Sequence, residues 1–269
     1  MSQNQYRPTR RDAIRFGAAG AAAAAGLSLI RKASADCPAT VSQTQGPYWV
    51  DEMLNRADVR SDPATGVLQA GLPLRLGINI SETTANVCSP LAGAYVDIWH
   101  CSATGAYSDE PAGMGNPNTL GQKWLRGYQV TDAHGNVRFL TIYPGWYMGR
   151  TVHIHFRVRK FSGTTTTFNF TSQLYFDDAI SNSIFARMAP YNTHPNRNPA
   201  SNGADNLYNA ALLTRLADNG NHAVASFNAI VDSNPGFRRA ANALPVDKES
   251  LEHMNDFGGG TPPLHMRIT

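Results

Sequence analysis

The sequence has no apolar run suited to crossing a bilayer, no basic patch, no internal repeat, and only three cysteines in 269 residues. Each shortage narrows the possibilities. A spanning helix needs about 20 consecutive, mostly apolar residues. The longest candidate, Phe16 to Ile30, is shorter and rich in Ala. Residues 1–35 carry six basic side chains against Asp12, a net of +5, so the chain total of +3 leaves residues 36–269 near −2. Without a basic face, nucleic acid is not an expected partner. Three cysteines permit one bridge and leave one thiol, which suits an oxidising compartment. Cys88 and Cys101 flank a run that reads as an extended strand. At roughly 3.3 Å per residue its ends lie too far apart to be bridged. Cys37 therefore pairs with one of the other two.

The N-terminus supplies a reason for that compartment. Arg10-Arg11, the apolar run behind them and Ala33-Ser34-Ala35 read as a twin-arginine export signal over residues 1–35, cleaved before Asp36. A helical membrane anchor is the competing reading. The signal predicts an exported protein, periplasmic or extracellular, with the twin-arginine export machinery as a partner. Residues 36–235 then form one domain, and 236–269 a polar, Gly/Pro-rich tail.

Within the domain, short alternating runs recur. Leu72–Ile80, Ala92–His100, Leu125–Thr131, Val137–Ile142 and Phe168–Phe176 read as strands. The runs 125–131 and 137–142 are expected to pair as a hairpin around Asp132–Asn136. Ser81 to Pro90 reads as turn, Phe161 to Thr167 as loop, and the segment from Asp177 to Arg187 as a turn with one or two helical turns. Ala210 to Asp232 has helical composition, but Asn219-Gly220 splits it and its second half alternates, which favours a hairpin. His100, alone at a strand end, reads as structural. The fold expected is all-β, a sandwich of mostly antiparallel strands with long loops forming a pocket.

The most informative stretch runs from Tyr143 to Val158. Val152, Ile154, Phe156 and Val158 alternate with His153, His155, Arg157 and Arg159. A period of two is a strand, so His153 and His155 project from one face and can reach one metal ion. Two surface histidines would show the same spacing. Tyr147 and Arg150 stand just ahead, and such polar side chains are costly to bury without a task.

Pro144-Gly145-x-Tyr147, then Arg150, then His153-Ile154-His155-Phe156 resembles the signature of intradiol ring-cleavage dioxygenases, the protocatechuate and catechol type. Asp97-Ile98-Trp99-His100-Cys101 followed by Gly105-x-Tyr107-Ser108 resembles that family's second signature. Gln45-Gly46-Pro47-Tyr48 resembles its start segment, and Gln173 matches a family glutamine by spacing. The family's N-terminal helical dimerisation domain has no counterpart, which leaves the assembly state open.

The resemblance implies non-haem Fe(III) held by Tyr107, Tyr147, His153 and His155. It implies Tyr147 as a base, Arg150 as a stabiliser of developing negative charge, and Gln173 beside substrate and oxygen. Tyr48 would line the substrate site, which makes the substrate-binding set Tyr48, Arg150 and Gln173. The reaction implied is O2-dependent cleavage of a small aromatic diol between its hydroxyl-bearing carbons, giving a muconate-type diacid. From the residues alone, Tyr107 is an ordinary loop tyrosine, Gln173 a strand glutamine, Tyr48 a core aromatic and Arg150 a structural ion-pair partner. A non-catalytic exported module binding a metal or an aromatic, or a copper or zinc protein using the same pocket, stays open at this stage.

Overall fold

The computed structural model describes residues 37–85, 87–194 and 199–232. The expected export signal and tail lie outside the described residues. Among the described residues, nine strands form two facing sheets. One sheet contains β1 (Pro73–Thr84), β2 (Val87–Pro90), β5 (Asn136–Ile142), β8 (Arg215–Asp218) and β9 (Ala223–Asp232). The other runs β4 (Arg126–Val130), β3 (Tyr95–Trp99), β6 (His153–Ser162), β7 (Thr165–Tyr175). Alternation supplies the core. Leu74, Leu76, Ile78 and Ile80 of β1 are buried, as are Ala223, Ala225, Phe227, Ala229 and Val231 of β9. They face Ile154, Phe156 and Val158 of β6 across the sandwich in one apolar cluster. Most pairs are antiparallel, but β1 and β9 run parallel over ten register pairs, Leu74↔Ala223 to Thr83↔Asp232.

The hairpin expected within 210–232 is β8 with β9, in register Asp218↔Ala223. The small side chains that suggested helix instead fit a strand packed against the opposite sheet. The hairpin expected between 125–131 and 137–142 does not form. Its turn exists, closed by Gly135 N–H to Asp132 O at 3.0 Å, but β4 pairs with β3 and β5 with β1. Ile80 N–H donates to Gly135 O at 2.8 Å, so the turn docks on β1 and carries the chain from one sheet to the other. A hairpin and a corner between facing sheets have the same alternation, because each buries one face.

Ser81 to Pro90 is not a simple turn. It prolongs β1 and forms β2 through pairs such as Thr83↔Cys88, an exposed ladder without apolar alternation to announce it. Phe161 to Thr167 is likewise mostly strand, with only Gly163 and Thr164 between β6 and β7. The helix α1 (Asp178–Arg187) is longer than expected at ten residues. Asp177 caps the N–H groups of Ala179 and Ile180, and Ile184 and Phe185 are buried.

Cys37 bridges Cys88, with Cα atoms 5.7 Å apart, and Cys101 is a buried free thiol. From that anchor the N-terminal segment crosses between the sheets. Thr40 N–H donates to Ile230 O at 2.7 Å and Gln43 N–H to Thr171 O at 2.9 Å. This path brings Gly46–Tyr48 to the histidine end of β6.

Candidate metal and active site

The central position of β6 sets the site. In the sheet register His155 faces Trp99 on one side and Gln173 on the other, and His153 faces Tyr175. Both histidines are buried, at 2% and 1% exposure. Their rings lie 4.8 Å apart at 82°. His153 Nδ1 donates to Thr151 O at 2.6 Å. A carbonyl can only accept, so the other nitrogen, Nε2, carries the free lone pair. Two phenols converge on that atom: Tyr147 Oη at 3.3 Å and Tyr107 Oη at 3.4 Å.

The two tyrosines come from loops stitched together through glycine. Gly145 N–H donates to Ser102 O at 3.1 Å. A Cβ at Gly145 would collide with the Ala103 carbonyl, and one at Gly105 (φ +84°) with the Trp146 carbonyl. The 109–119 loop folds back to hold Tyr107. Asn116 Oδ1 accepts from Tyr107 N–H at 2.6 Å, and Thr119 Oγ1 donates to Tyr107 O at 2.7 Å. Tyr48, 6% exposed, stacks on Tyr107 with centroids 4.3 Å apart and meets Tyr147 edge-on at 5.9 Å. Buried Arg126 ties this corner together, donating from Nη1 to Tyr48 O at 2.6 Å and from Nε to Ser108 Oγ at 2.9 Å.

Arg150 is both ion-paired and aimed at the site. Its Nε donates to Asp205 Oδ2 at 2.9 Å, its Nη1 to Tyr147 Oη at 3.4 Å and its Nη2 to Gln173 Oε1 at 2.5 Å. Asp205 also accepts from the N–H groups of Thr151 (3.0 Å) and Leu207 (2.8 Å). Gln173 Nε2 donates to Thr44 O at 3.3 Å, and Tyr175 Oη to Gln173 Oε1 at 3.3 Å. His100 is structural, bonded to Cys101 O (2.8 Å) and Thr141 Oγ1 (2.7 Å).

All seven residues expected at the site, Tyr48, Tyr107, Tyr147, Arg150, His153, His155 and Gln173, thus lie in one neighbourhood. Asp205, Asn116, Thr119 and Arg126 were not anticipated. Only the need of a buried guanidinium for a carboxylate could have pointed to an acid such as Asp205, and nothing local indicated which one.

Burial dominates the protonation of the group. It pushes both imidazoles well below their usual range, with the Arg150 charge adding to the effect, so both stay neutral. It raises the phenols of Tyr107 and Tyr147, while Arg150 pulls Tyr147 back down. A cation binding here must displace phenol protons, which favours a highly charged, hard ion. Two phenolates and two neutral imidazoles suit Fe(III) in this respect, as tyrosinate suits haem iron. Among the described residues no cluster of three or more His, Cys, Asp or Glu is placed to hold a metal.

A family model described as Dioxygenase matches residues 45–212, from the Gly46–Tyr48 segment past Asp205. The chain belongs to the intradiol ring-cleavage dioxygenase family. A chlorocatechol 1,2-dioxygenase of Pseudomonas putida is 32% identical over 108 residues, 33% of this chain and 39% of that one. One from Pseudomonas sp. (strain P51) is 32% identical over 102 residues, 30% of this chain and 38% of that one. The chain therefore spans about two fifths of the length of these curated relatives. The solved intradiol ring-cleavage dioxygenase of Tetranychus urticae superposes with a TM-score of 0.61 at 25% identity, over 73% of this chain and 96% of its own. The sandwich is thus the family's fold as well as its sequence pattern.

Proposed function

We propose that this dioxygenase is an exported non-haem Fe(III) enzyme that cleaves catechol-type rings between the two hydroxyl-bearing carbons. One observation carries the reading: two phenol oxygens from separate loops meet the lone pair of His153 Nε2 within 3.4 Å, with Arg150 and Gln173 beside them. Tyr107, Tyr147, His153 and His155 would hold the iron, which supplies Lewis acidity toward the diol and oxygen when bound.

The chain's own residues supply the rest. Tyr147 is the phenol able to exchange protons. It is less buried than Tyr107, and its oxygen faces the Arg150 guanidinium, which stabilises the phenolate. Once ionised, its phenolate oxygen Oη would accept one of the two diol protons and return to the phenol. Arg150 holds a positive charge where the ring becomes electron-rich, and Asp205 and Gln173 fix its direction before the reaction begins. Tyr48 walls the Tyr107 side and keeps water from it. In the overall reaction one carbon–carbon bond breaks and both atoms of O2 enter the product. The muconate-type diacid therefore balances against diol plus O2 without an external reductant.

The visible spectrum of the purified full chain, before and after anaerobic catechol, tests this. A red-brown band that shifts with catechol, followed by diacid formation on admitting O2, is the expected result. A protein that stays colourless after iron loading would refute the iron–tyrosinate site and favour a non-catalytic binding module. Metal analysis separates copper or zinc.

A further inference from the structure

The two imidazoles of the site are held by different means. His153 is fixed through Nδ1 by the Thr151 carbonyl. His155 Nδ1 is buried with no hydrogen-bond partner among the described residues. A metal-binding imidazole usually takes its direction from a hydrogen bond at its second nitrogen. For His155, packing must do that work. The indole of Trp99, directly opposite in the β3–β6 register, stacks on it with centroids 4.8 Å apart and planes 7° apart. Gly46 closes on the ring edge, where an added Cβ would lie 3.4 Å from His155 Cε1.

Trp99 in turn has a buried donor, Nε1, without a partner among the described residues. Glu52 has a buried acceptor, Oε1, in the same condition, while its Oε2 pairs with Lys123 at 2.5 Å. Both residues line one cavity of about 10 Å³. A space of roughly that size holds one water, and a buried water needs two to four polar neighbours. An indole N–H and a carboxylate oxygen are a donor and an acceptor of the required kinds.

We infer that Trp99 is the positioning residue for His155, and that one buried water joining its indole N–H to the Glu52 carboxylate holds it in place. The consequence for iron rests on the reading of His155 as a ligand; the clamp on the ring does not.

The test uses full-length protein in two arms. The first is ¹⁵N NMR of the histidine rings in metal-free protein. The second is iron titration followed by the visible band. Trp99→Leu is expected to shift and broaden the His155 ring signals, to spare those of His153, and to weaken iron binding roughly 10–100-fold. Trp99→Phe keeps a ring face and is expected to restore most of both. Glu52→Leu, which removes the acceptor, produces a smaller change of the same kind, and Glu52→Gln stays near the parent. Unchanged His155 signals in folded Trp99→Leu, or equal losses in the Phe and Leu variants, would overturn the stacking role. If Trp99→Leu does not fold, Glu52→Leu reads the same His155 signals, and no change there overturns the water-held clamp. A parent protein that takes up no iron defeats the dioxygenase reading, while the NMR arm still decides the role of Trp99.

Discussion

Separating Arg150 from Asp205 gives the most quantitative check on the site. Asp205 is 1% exposed at its side chain and Arg150 14%. Solvent-exposed pairs contribute about 0–1 kcal/mol, whereas breaking a fully buried pair costs about 3–5 kcal/mol. This pair falls between those limits. Without Arg150, the buried carboxylate keeps the N–H groups of Thr151 and Leu207. Without Asp205, the guanidinium keeps Tyr147, Gln173 and some solvent. A coupling energy of about 2 kcal/mol follows for the double-mutant cycle. Asp205→Asn alone loses a charge-assisted hydrogen bond of about 2 kcal/mol. For a domain of this size that lowers Tm by roughly 4–8 °C. Urea unfolding of the parent, Asp205→Asn, Arg150→Met and the double variant measures the coupling, and catechol turnover measures the function. kcat should fall in Asp205→Asn although Asp205 touches none of the expected metal ligands, because Arg150 loses the anchor that aims its two Nη groups. A coupling below about 0.5 kcal/mol, within ordinary additivity, would mean a screened surface pair and no positioning role.

Tyr147→Phe should shift or bleach the visible band and slow turnover; a normal spectrum and rate would remove Tyr147 from the site. His155→Ala should yield iron-poor protein by metal analysis, and full iron content would sink its assignment as a ligand. Asp97 is pushed up to about 6 by burial, only partly offset by Arg159. Because its folded value exceeds the usual carboxylate value of about 3.9, the folded state binds the proton more tightly. The stability of the parent relative to Asp97→Asn should therefore fall as pH rises from about 4 to 6, then level off; a flat difference across that window would contradict the burial argument. Cys37→Ser opens a disulfide loop with a sequence separation of 51 residues. Its loss should cost up to about 4 kcal/mol in guanidinium unfolding, and no loss of stability would show the N-terminal segment to be held by its backbone hydrogen bonds alone.

Sequence by itself determined the parts of this protein that depend on local periodicity and on residue chemistry. Alternation placed His153 and His155 on one face of a strand, because successive strand residues point to opposite sides. Tyr107 and Tyr147 were legible only through the resemblance of their Gly- and Pro-bearing segments to a family signature, since from the residues alone Tyr107 is an ordinary loop tyrosine; the fold supplies the reason for the glycines, where the two loops touch. Exclusion of a Cys88–Cys101 bridge came from reading the run between them as one extended strand; the structure keeps the exclusion for a different reason, since the chain turns after Pro90 and β2 and β3 lie in different sheets.

Tertiary structure decided whatever depends on which strand lies beside which. Alternation says that a face is buried but not against what. It could not tell that β4 and β5 part to opposite sheets, or that β1 and β9 run parallel. β2 carried no signal at all, since its ladder is backbone pairing on an exposed edge. The same limit hid Asp205. A largely enclosed arginine calls for a compensating charge, but that charge comes from 55 residues along the chain, and only the folded path brings it within reach. Trp99 and His155 are likewise far apart in sequence. Their stacking is a consequence of register, and register is fixed by the packing of the whole sheet.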